Sequence, residues 1–356
     1  MNQFPMEDSL KYNLAFMPYA PLDKDVELGN FQITAFDRCQ DSVFESSAVR
    51  NQLKAYFERY IELKYDRKMD LCEEIPLKIY ILAPRGYVLG RDSMSDEQYR
   101  DAMTVSHIMA FTSVLENSFM GPGSSEPFFV YLQNFVKGQE GFGYYGTYYM
   151  AYKLFKMAKP LYINNHPMCH YDNSDLGKAL AKLLTFRNTN SMAEQILRSL
   201  ELLFHTITIA ETVTSEHKLL TLVMAFEVLL GFENRRGFVD IIKNELSPMS
   251  DHLEEREISL EGGKKEKATK TLTQWWAYDL YNLRSAIIHG EKIDWQYEKY
   301  GDVHKRIEFA GILFRRLYKI FLQRMNLWTS DFTDQLIVEA GCLDEELLHI
   351  LEREHI

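Results

Sequence analysis

The segment Tyr281-Asn282-Leu283-Arg284-Ser285-Ala286-Ile287-Ile288-His289-Gly290 sets an arginine, a serine and a histidine into an otherwise apolar helical stretch that a glycine stops. A guanidinium is permanently charged and its planar fork suits a phosphate, while an imidazole, with an unperturbed pKa of about 6.5, exchanges protons near neutrality. Together they are a minimal kit for cutting a phosphodiester without a metal ion. The same residue types also have a plainer use, as a surface ion-pair partner and a partly buried, satisfied ring. On an ideal helix of about 3.6 residues per turn, two residues five apart point roughly 140° away from each other. Bringing Arg284 and His289 together therefore requires that His289 sit where the helix unwinds into Gly290, or that two copies of the helix pool their side chains.

The elements that must position this pair are helical. Ser191 to Val213 is expected to be an amphipathic helix, opening with Ser191 and Glu194 in capping-box spacing and carrying Ile196, Leu200, Leu203, Phe204 and Ile207 at helical intervals. Leu219 to Gly231 is apolar nearly all round, the mark of a buried helix, with Gly231 as its stop. The Arg284–His289 helix should start near Leu272, and a last amphipathic helix should run from about Val303 to Leu327.

This order resembles the HEPN superfamily of four- or five-helix bundles with an R-x4-6-H motif on the third core helix. Leu283 to Gly290, preceded by the helix containing Ala225-Phe226-Glu227, is similar to its ApeA-like branch. The likeness covers roughly Ser191 to Leu327. It implies a dimer in which two motif helices face each other and build one composite ribonuclease cleft. His289 would then be the general base or acid, Arg284 would hold the scissile phosphate, and Ser285 would bond the phosphate or orient His289. The chemistry implied is attack of the ribose 2′-oxygen on phosphorus, giving a 2′,3′-cyclic phosphate and a free 5′-hydroxyl. Some HEPN toxins extend the motif to R-x4-H-x-Y; Glu291 stands at that position here, which argues against regulation through that tyrosine. Other members keep only nucleotide binding or scaffolding. Glu227 could pair with Arg284 across the bundle or satisfy another buried contact.

Composition bounds these readings. The chain has 356 residues, enough for two domains, with 46% hydrophobic and 26% charged residues. No apolar run approaches the ~20 residues of a membrane span, and the N-terminus lacks the basic-then-apolar order of a secretion signal, so a cytoplasmic protein is expected. Cys39, Cys72, Cys169 and Cys342 have no CxxC spacing, which suits a reducing compartment. A net charge of −11 counts against broad nucleic-acid binding, so any grip on RNA must come from local positive charge. The candidate substrate-binding residues are Arg235 and Arg236, Lys264 and Lys265 in Lys264-Lys265-Glu266-Lys267, and Arg315-Arg316; a solvated face or loop is the plainer account of each, since charge runs usually are that. Glu254 to Lys270, with Gly262-Gly263 and dense charge, should be a mobile insertion.

The first half reads as a mixed α/β domain. Phe31–Phe36 and Leu77–Leu82 alternate like strands, while Val49–Leu63 and Asp96–Leu115 have helical spacing. Gly141 to Tyr149 is rich in glycine and tyrosine, which suits base stacking or ordinary core packing and turns. Gly121-Pro122-Gly123-Ser124-Ser125 is a loop without the lysine of a P-loop. His166, Cys169, His170 and Asp172 are dense in donors but match no standard paired-ligand pattern, so neither a metal nor another cofactor is expected.

The expected architecture is α+β: a sensor or substrate-positioning domain over residues 1–165, a junction over 166–190, and a helical bundle over 191–356. Two functions are implied by the resemblance. One is a homodimeric, cytoplasmic HEPN-type endoribonuclease in bacterial defence or stress response, acting on RNA away from membranes. The other is an inactive nucleotide-binding or protein-interaction module.

Overall fold

Polar Lys11 and Asn13 alternate with buried Tyr12 and Leu14 at the start of β1 (Lys11–Met17), and the strand ends in four buried residues. That switch from alternation to an apolar run marks a strand entering a covered centre. The computed structural model describes residues 11–65, 71–115, 125–137, 156–160, 174–208, 213–246, 252–259, 265–295, 298–328 and 343–353. The chain divides into two units, Met1–Val114 with Gly123–Leu184, and Leu115–Pro122 with Thr185–Ile356. With helices and several sheets, the chain is α+β.

In the first unit β1 lies inside a five-stranded antiparallel sheet with β2 (Val26–Leu28), β3 (Phe31–Ala35), β6 (Tyr80–Pro84) and β7 (Tyr131–Val136), in the order β2-β3-β6-β1-β7. A smaller sheet pairs β4 (Tyr60–Tyr65) with β5 (Leu71–Pro76) and β8 (Met157–Ala158). Helix α1 (Ser47–Phe57) buries Val49, Leu53, Tyr56 and Phe57. Phe16 of β1 meets the rings of Tyr56, Phe57 and Tyr60 edge-on at 5.2–5.9 Å. The helical spacing expected to reach Leu63 ends at Phe57, because Tyr60 and Ile61 are taken into sheet pairing with β8. Helix α2 (Asp96–Ala110) starts on a Ser95/Gln98 capping box and passes into a π-helical turn, Phe111–Leu115. Helix α3 (Asp175–Lys182) closes the unit.

The second unit is mostly helical. Helix α4 (Ser191–Thr206) is capped by Asn190, whose Oδ1 accepts from Met192 and Ala193, so Ser191 is the first helical residue and not the cap. Helix α5 (Ser215–Leu230) ends at Gly231 with φ 68°, a conformation open to glycine at little cost. Then come α6 (Arg235–Leu246), α7 (Leu272–Ile288), α8 (Val303–Arg324) and α9 (Leu343–Glu352). Phe226 of α5 stacks on Phe314 of α8 at 4.2 Å and meets Phe238 of α6 and Trp276 of α7 at 5.2 and 6.0 Å. One aromatic cluster thus ties four helices together, and burial of such rings is the dominant stabilising contribution there.

The segment expected to be a mobile insertion is a β-hairpin, β9 (Leu253–Ser259) with β10 (Lys265–Thr271). Its charges pair across the strands, Lys265 with Glu257 at 2.8 Å and Lys267 with Glu255 at 2.7 Å. Charge density that reads as disorder is here alternation along a ladder. Gly262-Gly263 lies outside the described residues, as do Gly121–Ser124, Gly141–Tyr149 and the His166–Asp172 set.

Candidate functional site

Helix α7 is the structural base of the site. Its N-terminus carries a Thr271/Gln274 capping box, and Asp344 of α9 accepts from both the N–H and the hydroxyl of Thr273 at 2.8 and 2.7 Å. Its C-terminus closes with Gly290 at φ 77°, Gly290 N–H donating to Ile287 and Glu291 N–H to Ala286. That bond pair is a Schellman motif, and it puts His289 at the last half-helical position, exposed to solvent.

At about 100° per residue, Tyr278, Tyr281, Asn282, Ser285, Ile288 and His289 fall within one arc of roughly 120° on α7. Ser285 is near its centre. Arg284 leaves the helix on the flank facing α5, where its guanidinium meets the Glu227 carboxylate at 3.2 Å and the Tyr281 ring at 5.2 Å. Both members of that ion pair are about a quarter exposed, at 29% and 25%. Within one chain, Arg284 and His289 therefore do not converge: Arg284 turns toward α5 and His289 toward solvent.

Arg235, the first residue of α6, reaches the other flank of the same arc. Its guanidinium stacks on the Tyr278 ring at 4.3 Å and donates to Asn282 Oδ1 at 2.6 Å. Arg236 points away, is 92% exposed, and lies 3.7 Å from Asp240. Lys265 is held by Glu257 on the hairpin, and Lys264 lies outside the described residues. Arg316 is not a surface cation: α8 turns it into the core, where it is 1% exposed. The residues that sequence reasoning passed over are Tyr278 and Asn282. Their signal was a polar and aromatic stripe, Tyr278-Asn282-Ser285-His289, at helical four- and three-residue steps.

The opposite edge of α7 carries a separate polar cluster that anchors the hairpin. Arg256 of β9 lies between the rings of Trp275 and Tyr300, at 4.7 and 5.3 Å, and donates to Glu254, Asp279 and the Tyr300 hydroxyl. Hydrogen bonds from Arg256 and Lys299 hold the Glu254 carboxyl below the usual carboxylate range. Burial pushes Asp279 up despite the nearby Arg256 charge. Arg306 is fully buried against Glu298 and the Gly301 carbonyl, and that burial lowers its pKa. This cluster is structural: it locks hairpin, α7 and α8 together.

Among the described residues no group of three or more His, Cys, Asp or Glu is placed to hold a metal, and no helix is long and apolar enough to cross a membrane. No family model, curated protein or solved structure matches the chain.

Proposed function

We propose that this protein is a metal-independent endoribonuclease of the HEPN type, acting as a homodimer in the cytoplasm through the helices of its second unit. In this reading α4, α5, α7 and α8 are the core of the bundle, and the first unit senses a trigger or positions substrate, a layout suited to defence or stress response. The observation that carries it is the exposed Schellman end of α7, which presents His289 on the same arc as Ser285 while Arg284 flanks it. Because the guanidinium and imidazole leave one helix about 140° apart, the cleft would be composite, one copy's Arg284 facing the partner's His289 across a twofold axis. Two apolar side chains are exposed near this pair in sequence, Met224, one turn before Glu227 on α5, at 48% and Ile288, one turn after Arg284 on α7, at 55%, and their burial would favour such pairing.

The chemistry needs only groups the two chains supply. One imidazole takes the proton of the ribose 2′-hydroxyl as its oxygen attacks phosphorus, the P–O5′ bond breaks, and an imidazolium returns a proton to the leaving 5′-oxygen. Arg284 would stabilise the charge on the non-bridging oxygens, and Ser285 would donate to one of them.

The pairing of Arg284 with Glu227 favours a second reading, in which the arginine is structural and the domain binds nucleotides or partners without cutting. Incubating the purified chain with mixed RNA in EDTA separates the two. The nuclease reading expects 2′,3′-cyclic phosphate ends that disappear in His289→Ala with the fold retained; undiminished cleavage by that variant would remove His289 from the chemistry.

A further inference from the structure

The state of Arg235 is unusual for a cation in a chain of net charge −11. It is half-buried, yet among the described residues no carboxylate pairs with it; its partners are a ring and an amide oxygen. A guanidinium so placed has given up part of its hydration without gaining a counter-ion, and an anion would supply one. Its geometry is also fixed in advance. The guanidinium carbon lies over the Tyr278 ring at 4.3 Å, and the bond to Asn282 Oδ1 engages one nitrogen, leaving the other donors of the planar group available. Preorganisation of this kind lowers the ordering cost of binding.

The position matters as much as the charge. Asn282 precedes Ser285 by one helical turn and His289 by two, so Arg235 sits roughly 5 to 10 Å along α7 from the residues assigned to the chemistry. It stands on the flank opposite Arg284. We propose that Arg235, positioned by Tyr278 and Asn282, binds a second phosphate of a single-stranded RNA running along the arc of α7, which is half-exposed at Tyr278, Asn282 and Ser285 and open to solvent at His289, adjacent to the phosphate held by Arg284. This rests on the reading that the arc meets RNA, but it does not require that the RNA be cut. It also separates Arg235 from the other candidate cations: Arg236 and Lys265 have acidic partners, whereas Arg235 is held by neutral ones.

The test uses the full chain and a fluorescein-labelled 2′-O-methyl oligouridylate, which lacks the attacking hydroxyl, with binding read by anisotropy over a range of salt concentrations. Arg235→Ala should weaken binding about tenfold and flatten the log-log salt dependence by about 0.7, the contribution of one single-strand phosphate. Tyr278→Ala should weaken it in the same direction while Tyr278→Phe restores it, because the ring and not the hydroxyl carries the stacking. Lys243→Ala, which removes one exposed charge from the same helix, should leave binding within twofold of the parent. Binding by Arg235→Ala equal to the parent in affinity and slope, an equal loss in Lys243→Ala, or no binding by the parent chain would each overturn the subsite. Arg235-dependent binding without cleavage of an all-ribose version would keep the subsite and favour the reading in which the domain binds without cutting. Cleavage that needs His289 and ignores Arg235, with probe binding also unchanged, would do the reverse.

Discussion

The Glu227 carboxylate on α5 stands 3.2 Å from the Arg284 guanidinium on α7. The pair bridges two helices of the core on the flank beside the proposed cleft, and it holds the arginine in one orientation. Solvent reaches both side chains, so screening limits what the pair adds to folding. In a double-mutant cycle with Glu227→Gln and Arg284→Gln, urea denaturation should return a coupling of about 0.2–1 kcal/mol. A coupling several times larger would show a buried structural bridge and favour the non-catalytic reading.

Asp344 presents the opposite case. It is fully buried on α9 and accepts from the N–H and hydroxyl of Thr273 and from the His252 N–H, thereby fixing the start of α7 and the base of the hairpin at once. Asp344→Ala leaves the two Thr273 donors unsatisfied in the interior and should cost about 2–4 kcal/mol of stability. Asp344→Asn keeps one carbonyl acceptor and should cost less. Equal stability of the alanine variant and the parent in urea would show that the N-terminus of α7 is held by its own capping box alone.

How much of this was legible depends on whether the signal is local. Helices α5 and α7 could be placed because apolar runs end at Gly231 and Gly290, and both glycines have positive φ. Asn190 and Ser191 are adjacent capping types, so sequence could not choose between them. The β9–β10 hairpin was hidden because its stabilising pairs, such as Lys265 with Glu257, look like solvated charge until the register is known. Helix α6 went unnoticed behind Arg235-Arg236-Gly237, although Phe238, Ile242 and Leu246 repeat every fourth residue. Arg284, Ser285 and His289 could be singled out by type and spacing alone. The contact of Arg235 with Asn282, 47 residues apart, could not, since nothing local encodes it.

Asp279 predicts a pH dependence with a definite sign. Its folded pKa lies above its unfolded value because burial penalises the carboxylate more than Arg256 favours it. The folded state therefore holds that proton more tightly, and the stability associated with it is present below the unfolded pKa and lost as pH rises through the folded one. Asp279→Asn keeps an acceptor for Arg256 and removes the ionisation. Relative to the parent it should gain stability at pH 7, and the gain should shrink as the pH falls toward about 4, the ordinary carboxylate range. A difference in urea midpoint that grows on acidification would show the anion to be the favoured form.

The two described cysteines should differ sharply in reactivity. Cys39 is buried between β3 and α1, its thiol donates toward the Ala35 carbonyl, and burial, with Asp25 nearby, pushes its pKa up to about 11. Cys72 on β5 is exposed. Alkylation proceeds through the thiolate, and at pH 8 a thiol of pKa near 11 is ionised on the order of a hundredfold less than an ordinary one. Iodoacetamide at pH 8, followed by peptide mass spectrometry, should therefore label Cys72 at least about a hundredfold faster than Cys39, with the two rates converging in urea as the fold is lost. Comparable native rates would mean that the first unit opens locally around Cys39 faster than the reagent reacts.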